Sequence, residues 1–288
     1  MLKVESLQYD TIFKKAFQRV DLFTGLVEDF TGIHLEIDEV ENEKVFEPPI
    51  GRVKPRFDLF AEDKKNRVIV EAQHATSQDD FERFFYYHII AMAETIHTSK
   101  DYRFPKVIIT LVFFTEKKTP KPDNNILVQD FLMRNLQGEV IENAGGLKHQ
   151  LIFVFTEDPL SDLDIPKPCQ QWIEAINDTL DGKVDENEYE NPLIKQLFQV
   201  IATDQTTPEE YAQMKEEYNQ KRIAEEKRIA AEEKLIAAEE KRIVAEEKRI
   251  VAEEKLFNTV RNLKELGKLT EIEIAQITNL TLEEVQAL

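Results

Sequence analysis

Hydrophobic residues follow a helical period near the start of the chain and then change to the period of strands. Residues 9–17 and 22–30 place apolar side chains three and four positions apart, as on one buried face of a helix. Apolar and polar residues alternate over residues 56–62, and a second strand-like run covers residues 67–72 after a polar turn at 63–66. The pattern therefore predicts two opening helices followed by a β-hairpin.

Further elements are predicted on both sides of this hairpin. They are a short strand at 44–46 that ends before Pro48 and Pro49, a long helix at 80–98, buried strands at 107–114 and 151–155, and a helix at 172–180. Because helices and strands are interspersed, the expected fold class is a mixed α/β sandwich.

The last third of the chain consists largely of residues that favour helices. A unit of the type Arg-Ile-Val-Ala-Glu-Glu-Lys recurs between residues 228 and 255, and its charges at i+3 and i+4 predict ion pairs along one continuous helix. Each heptad supplies one strongly apolar residue (Ile229, Ile236, Ile243 or Ile250), whereas a coiled coil normally uses two. A solvated spacer helix and a self-associating helix both remain open.

Two short helices are predicted after the heptads. Gly267 is a helix stop, and Thr270 and Thr281 each stand where a capping residue would begin a helix. The rhythm is that of a helix-turn-helix, but the second helix contains Glu283 and Glu284 and has no Lys or Arg to contact DNA. A small packing or oligomerisation module is favoured.

The amino-acid composition is that of a folded protein without membrane spans. Of the 288 residues, 42% are hydrophobic, which excludes global disorder, and no apolar run approaches the roughly 18 residues of a membrane span. Cys169 has no second cysteine to pair with, and the mixed-charge start does not resemble a signal peptide, so a cytoplasmic protein is expected. The expected organisation is a globular domain at 1–200, a long charged helix at 208–266 and a short helical tail at 267–288.

The net charge of the chain limits the ways in which it can bind nucleic acid. The net charge of −19 argues against a protein that coats DNA or RNA through bulk positive charge. Any contact with DNA must therefore be local. Basic residues around the predicted hairpin are candidates for gripping a DNA backbone, namely Lys54, Arg56, Lys64, Lys65 and Arg67.

The hairpin brings two acidic residues together. Asp58 lies on its first strand and Glu71 on its second, and paired strands joined by a short turn can place them side by side. Gln73 shares the face of Glu71, because residues two apart on a strand point the same way. Adjacent carboxylates are unfavourable without a cation, so the pair predicts a site for Mg²⁺ or Mn²⁺, which would activate water and stabilise charge as a phosphodiester breaks.

Glu71 follows a wholly apolar run at 68–70, which predicts a strand buried on both faces, so its charge needs a partner. The candidates are Asp10 in the first helix, Lys14 one turn later, and Arg83 in the long helix. Each has an ordinary structural explanation as well: Asp10 as a helix cap, Lys14 as a solvated side chain, and Arg83 as a salt bridge to Glu71. Taken alone, these residues leave both roles open.

In order along the chain, several motifs resemble the PD-(D/E)XK nuclease superfamily, specifically its Rpn-type recombination-promoting nucleases, also described as PD-(D/E)XK family transposases. The motifs are Asp10-Thr-Ile-Phe-Lys-Lys-Ala-Phe17, Phe57-Asp58, Ile69-Val-Glu71-Ala-Gln73, Arg83-Phe-Phe-Tyr-Tyr87 and the apolar run at 107–113. The literal Pro-Asp pair is absent, because Arg56 and Phe57 separate Pro55 from Asp58.

The resemblance implies a restriction-endonuclease-like mixed sheet flanked by helices, and a metal-dependent DNA endonuclease of the recombination-promoting or transposase type. Asp58 and Glu71 would hold Mg²⁺ or Mn²⁺, with Asp10 assisting. Gln73 occupies the position of the superfamily's motif lysine, where it can orient water or phosphate but supplies no positive charge. Lys14 or Arg83 is the hypothetical source of that charge. The alternative hypothesis is a non-catalytic nuclease-fold protein that oligomerises through its C-terminal helix.

Overall fold

A computed structural model describes residues 1–47, 53–74, 80–96, 103–115, 124–141, 147–156 and 164–288 of the chain. The strands are β1 (Leu2–Lys3), β2 (Glu41–Val45), β3 (Arg56–Glu62), β4 (Asn66–Gln73), β5 (Val107–Phe114), β6 (Ile126–Phe131), β7 (Leu147–Phe155) and β8 (Lys183–Val184). The helices are α1 (Asp10–Phe17), α2 (Val20–Thr31), α3 (Asp80–Ala93), α4 (Lys167–Asp178), α5 (Pro192–Val200), α6 (Pro208–Leu266), α7 (Glu271–Thr278) and α8 (Leu282–Ala287). The predicted break at Pro48 and Pro49 lies outside the described residues.

Six of the described strands form one mixed sheet in the order β2-β3-β4-β5-β7-β6. The hairpin predicted from residues 56–73 is confirmed as the antiparallel pair β3 and β4, and β4, β5 and β7 are parallel. The parallel strands carry near-continuous apolar runs because protein covers both of their faces. The strands β1 and β8 pair separately.

Helices cover the sheet from two sides. On one side, α1, α2, α4 and α5 bury residues such as Phe13, Phe23 and Trp172 in one core with Val70 of β4 and Leu111 of β5. On the other side, α3 packs through residues that include Ile90 and Phe84 against β4, β5 and β7. The predicted fold class, a mixed sheet flanked by helices, is confirmed.

Most predicted elements overlap an observed helix or strand, although β2 (Glu41–Val45), β7 (Leu147–Phe155) and α4 (Lys167–Asp178) begin three to five residues before their predicted starts. The helix α3 ends at Ala93, before the predicted end at residue 98, and residues 97–98 lie outside the described part of the chain. The edge strand β6 was not predicted, because it is only partly buried and carries polar residues near its end. Helix α5 was also not predicted, although Asn191 caps it and Pro192 opens it, which is a recognisable start signal.

The structure divides into two compact units, Met1–Lys221 and Arg222–Leu288. In the second unit the heptad isoleucines are about half exposed on α6, at 46% for Ile229 and 53% for Ile236. Ion pairs at the predicted spacing include Arg228 with Glu225 and Arg249 with Glu246. The helical period is therefore confirmed, whereas self-association of this helix stays a prediction.

The end of the second unit follows the predicted capping signals. The long helix ends before Gly267, whose φ of +62° lies in the left-handed region that favours glycine. Thr270 and Thr281 each form a complete capping box, and Val260, Ile274 and Val285 form a small core. Among the described helices of the chain, none is both long enough and apolar enough to cross a lipid bilayer.

Candidate active site

The candidate site lies where β3 and β4 stop pairing with each other. Their ladder extends from Glu62 and Arg67 at the turn to Leu59 and Val70. At the next position, Asp58 and Glu71, carboxylate side chains accept the backbone N–H groups in place of backbone carbonyls. Glu71 Oε1 accepts a hydrogen bond from the Asp58 N–H at 3.2 Å, and Asp58 Oδ2 accepts one from the Ala72 N–H at 3.1 Å.

These bonds confirm the predicted proximity of Asp58 and Glu71 and orient both carboxyl groups. Glu71 is buried, with 5% of its surface exposed. Burial first, and the nearby Asp58 second, raise the pKa of Glu71 well above its usual range, and the charge of Arg83 only partly opposes this. Glu71 therefore retains a proton more readily than an exposed glutamate.

Lys14 of α1 lies among three carboxylates at this site. Its Nζ is 2.6 Å from Asp10 Oδ2, 3.3 Å from Asp58 Oδ1 and 3.4 Å from Glu43 Oε1. Only 9% of the side chain is exposed, so the explanation of Lys14 as a solvated residue is wrong. Burial lowers the pKa of Lys14, but Asp58 and Asp10 outweigh it and the net pKa is raised, which keeps the ammonium charged.

Asp10 belongs to this cluster rather than to a helix cap. Tyr9 is the N-cap of α1, and Asp10 lies in the first turn with its carboxylate bonded to Lys14. Burial and then the charge of Asp58 raise the pKa of Asp10, while Lys14 opposes them. The sequence-based alternative of Asp10 as a simple cap is therefore wrong.

Gln73 and Arg83 contact each other on the side of the sheet that α3 covers, opposite the side covered by α1. Arg83 Nη2 of α3 donates a hydrogen bond to Gln73 Oε1 at 2.5 Å. Ile69, four positions before Gln73, packs in the core beneath α3, so alternation places Glu71 and Gln73 on the α3 side. Asp58 in contrast contacts Lys14 of α1. The site thus draws residues from both helical layers at the gap between β3 and β4.

Glu43 is a member of the site that sequence reasoning missed. It adopts a left-handed φ of +58° inside β2, and the β2–β3 ladder omits the pairing of Glu43 with Asp58. A non-glycine residue in this region costs roughly 1–2 kcal/mol. The carboxylate contacts Lys14 at 3.4 Å and Arg56 at 2.5 Å. Nothing in the local pattern of residues 41–45 indicates this conformation.

His74, directly after Gln73, is a second residue that the sequence did not single out. Its Nδ1 lies 2.7 Å from Thr115 Oγ1, and its Nε2 is buried with no hydrogen-bond partner among the described residues. Burial first, then the charges of Lys221 and Lys14, lower the pKa of His74 to about 3. His74 is therefore a neutral imidazole in the folded protein.

The acidic pair suits a hard divalent cation. Within the described parts of the chain, no group of three His, Cys, Asp or Glu side chains has the arrangement of a metal site. Mg²⁺ does not require such a cage, because proteins commonly hold it through one or two carboxylates and leave its other positions to water and substrate phosphate. Asp58 and Glu71 supply two such carboxylates, and a cation bound between them would oppose the burial and the Asp58 charge that raise the pKa of Glu71.

Some of the basic residues expected to bind the DNA backbone form ion pairs within the protein instead. Arg67 is buried and binds Glu62 at 2.9 Å and Glu94 at 2.5 Å, so its assignment to DNA is wrong. Lys54 forms an ion pair with Glu47, and Arg56 forms one with Glu43. Lys64 and Lys65 are exposed at the turn of the hairpin.

One known protein family matches the part of the chain that contains the candidate site. A family model described as "PD-(D/E)XK nuclease family transposase" matches residues 10–232, which is more than half of the chain. The matched span contains the acidic pair, Lys14, Gln73 and Arg83. No curated protein and no solved structure matches the chain.

Proposed function

The chain belongs to the PD-(D/E)XK nuclease family of transposases, and we propose that it is a metal-dependent DNA endonuclease that hydrolyses phosphodiester bonds during the recombination or movement of DNA. The observation that supports this activity is the pair of Asp58 and Glu71. Each carboxylate accepts a backbone N–H at the point where β3 and β4 diverge, so both are held in place before any ligand binds. Preorganised charge of this kind is what phosphoryl transfer requires.

Asp58 and Glu71 would hold Mg²⁺ or Mn²⁺. When bound there, the metal would supply an activated water and neutralise charge on the phosphate. Asp10 assists indirectly, because its carboxylate holds the Lys14 ammonium 3.3 Å from Asp58. A phosphate entering beside Asp58 would meet that ammonium.

Lys14 thereby provides the positive charge that Gln73 cannot supply from the motif position. The Oε1 of Gln73 accepts a hydrogen bond from Arg83, and the amide nitrogen of Gln73 is a donor suited to a phosphate oxygen or the attacking water. Arg83 would act by orienting Gln73. DNA is the proposed substrate, and its binding would be local and sensitive to salt because the chain carries a net charge of −19.

Cleavage of a supercoiled plasmid tests this proposal. The parent protein should convert the plasmid to nicked or linear forms with Mg²⁺ and not with EDTA, and Asp58→Asn and Glu71→Gln should each lower the rate at least about a hundredfold. The exposed residues Asp38 and Glu39 provide matched controls, Asp38→Asn and Glu39→Gln, which should cleave like the parent.

Equal cleavage by the site variants and the controls would reject the site. No cleavage by the parent, together with no Mg²⁺ binding in calorimetry and a defined oligomer in sedimentation, would favour the non-catalytic interaction protein.

A further inference from the structure

The first turns of the long helix α6 are docked on the segment that carries Asp10 and Lys14. Glu210 forms an ion pair with Lys15 of α1 at 2.8 Å, and the Tyr211 hydroxyl donates to Glu5 Oε1 at 2.8 Å. One turn later, Met214 is buried in the main core, with 7% of its surface exposed. These residues lie in the first compact unit, which extends to Lys221. The start of α6 is therefore packed as a part of that unit.

Glu217 extends this contact to the N-terminus of α1. Its Oε2 accepts the Asp10 N–H at 2.8 Å, its Oε1 accepts the Thr11 N–H at 3.1 Å, and the Thr11 hydroxyl donates to the same carboxylate. Tyr9, the N-cap residue of α1, makes no capping bond through its own side chain. Free N–H groups at a helix N-terminus attract negative charge. Glu217, more than two hundred residues away in sequence, supplies the missing cap.

The capped first turn of α1 is connected to the candidate site through contacts of Asp10 and Lys14. Asp10 donates its N–H to Glu217 and accepts the Lys14 ammonium on its own carboxylate at 2.6 Å. Lys14 in turn lies 3.3 Å from Asp58. A shift of the first turn of α1 would therefore move the ammonium relative to the acidic pair.

We propose that Glu217 is a positioning residue of the site, which fixes Asp10 and Lys14 against Asp58 by capping α1 from the long helix. This inference rests on the proposed nuclease function. It assigns the start of α6 a part in catalysis, separate from any role of the exposed heptads that follow.

The test compares Glu217→Ala, which removes the cap, with Glu217→Gln, which retains an acceptor oxygen. The adjacent Glu216 is exposed and accepts a hydrogen bond from Gln220 Nε2 of the same helix at 2.9 Å, so Glu216→Ala is the matched control. Plasmid cleavage at saturating and sub-saturating DNA separates kcat from KM. Acylation of lysines with an activated acetate ester, followed by mass spectrometry, reports the protection of Lys14 relative to the exposed Lys183 without requiring metal or DNA.

Glu217→Ala should lower kcat about tenfold to a hundredfold, with KM changed less than about twofold, because small displacements of catalytic groups have effects of this size. Acylation of Lys14 should rise in the same variant. Glu217→Gln should recover most of both properties, and Glu216→Ala should match the parent.

The inference would be overturned if Glu217→Ala melts at a lower temperature yet keeps the parent kcat and the parent protection of Lys14. It would also be overturned if Glu217→Ala changes KM alone, or if Glu217→Gln is as impaired as Glu217→Ala. If the parent cleaves no plasmid, the proposed function fails by itself. The acylation of Lys14 then still decides whether Glu217 positions that residue.

Discussion

Glu71 accepts a hydrogen bond from the backbone N–H of Asp58 at 3.2 Å, so the position of one carboxylate of the pair depends on the backbone of the other. The bond orients Glu71 but does not neutralise it. Two acidic groups are thus held together in a largely buried position, which lowers stability in the absence of a cation.

Glu71→Gln should be more stable than the parent without divalent metal, although it should not cleave DNA. Burial and Asp58 raise the pKa of Glu71 in the folded state, so the parent binds this proton more tightly when folded. Stability from this group is complete below the ordinary carboxyl pKa and is lost as pH rises through the raised value. We expect a gain of about 1 kcal/mol in urea unfolding at pH 8, typical of relieving strain at an active site, and a smaller gain at pH 4. A Gln variant that is less stable than the parent at pH 8, while Glu39→Gln is unchanged, would contradict this.

Lys14→Met should reduce cleavage while strengthening Mg²⁺ binding. The ammonium contacts Asp10 and Asp58, so its loss removes positive charge near the phosphate and leaves the carboxylates more negative. A decrease in kcat of about a hundredfold is expected from the loss of one preorganised charge. Calorimetry should show a lower Kd for Mg²⁺. The adjacent Lys15→Met, which loses an ion pair to Glu210, is the control and should change neither value; weaker Mg²⁺ binding by Lys14→Met would argue against this account.

Gln73→Lys should not improve the enzyme, although it introduces the lysine typical of the superfamily. The new ammonium would face the Arg83 guanidinium, which now donates to Gln73 Oε1 at 2.5 Å. We expect lower stability and no gain in cleavage from the single change, with partial recovery when Arg83→Ala is added. A double-mutant cycle on urea unfolding should give a coupling of about 1 kcal/mol, because the two positions are in contact. Strict additivity would show that Arg83 does not constrain position 73.

His88 should make the protein sensitive to mild acid. It is fully buried, its Nδ1 lies 2.9 Å from Thr110 Oγ1, and its Nε2 has no hydrogen-bond partner within the described residues. Burial, and then His149, lower the pKa of His88 from 6.5 to about 3. Because the unfolded chain binds this proton first, stability should fall as pH drops from about 6.5 towards 3, by about 3 kcal/mol near pH 4.

The difference in unfolding free energy between the parent and His88→Gln across pH 4–7 measures this effect. His34 is exposed and pairs with Glu28, which raises the pKa of His34, so His34→Gln should not reproduce the change. An identical pH dependence for the parent and His88→Gln would reject the assignment.

The local elements and the acidic pair were predictable from the order of residues alone. A period of two on both sides of a short polar turn sets the register of β3 and β4, and continuing that register one position beyond Leu59 and Val70 brings Asp58 next to Glu71. The heptads and the threonine caps likewise define α6, α7 and α8 through interactions between residues three or four apart. These features are predictable because each depends on near neighbours in the chain.

The surroundings of the pair, in contrast, depend on how the helices and the sheet pack together. Lys14 reaches Asp58 because α1 packs against β3, Glu43 joins them through a left-handed residue in β2, and Glu217 caps α1 from another helix. Such contacts link residues far apart in sequence, and they depend on how helices and sheet pack as layers. A hydrophobic period shows which face of an element is buried, but it does not specify which distant side chain that element meets. The acidic pair was therefore predictable, while its counter-charge and support required the fold.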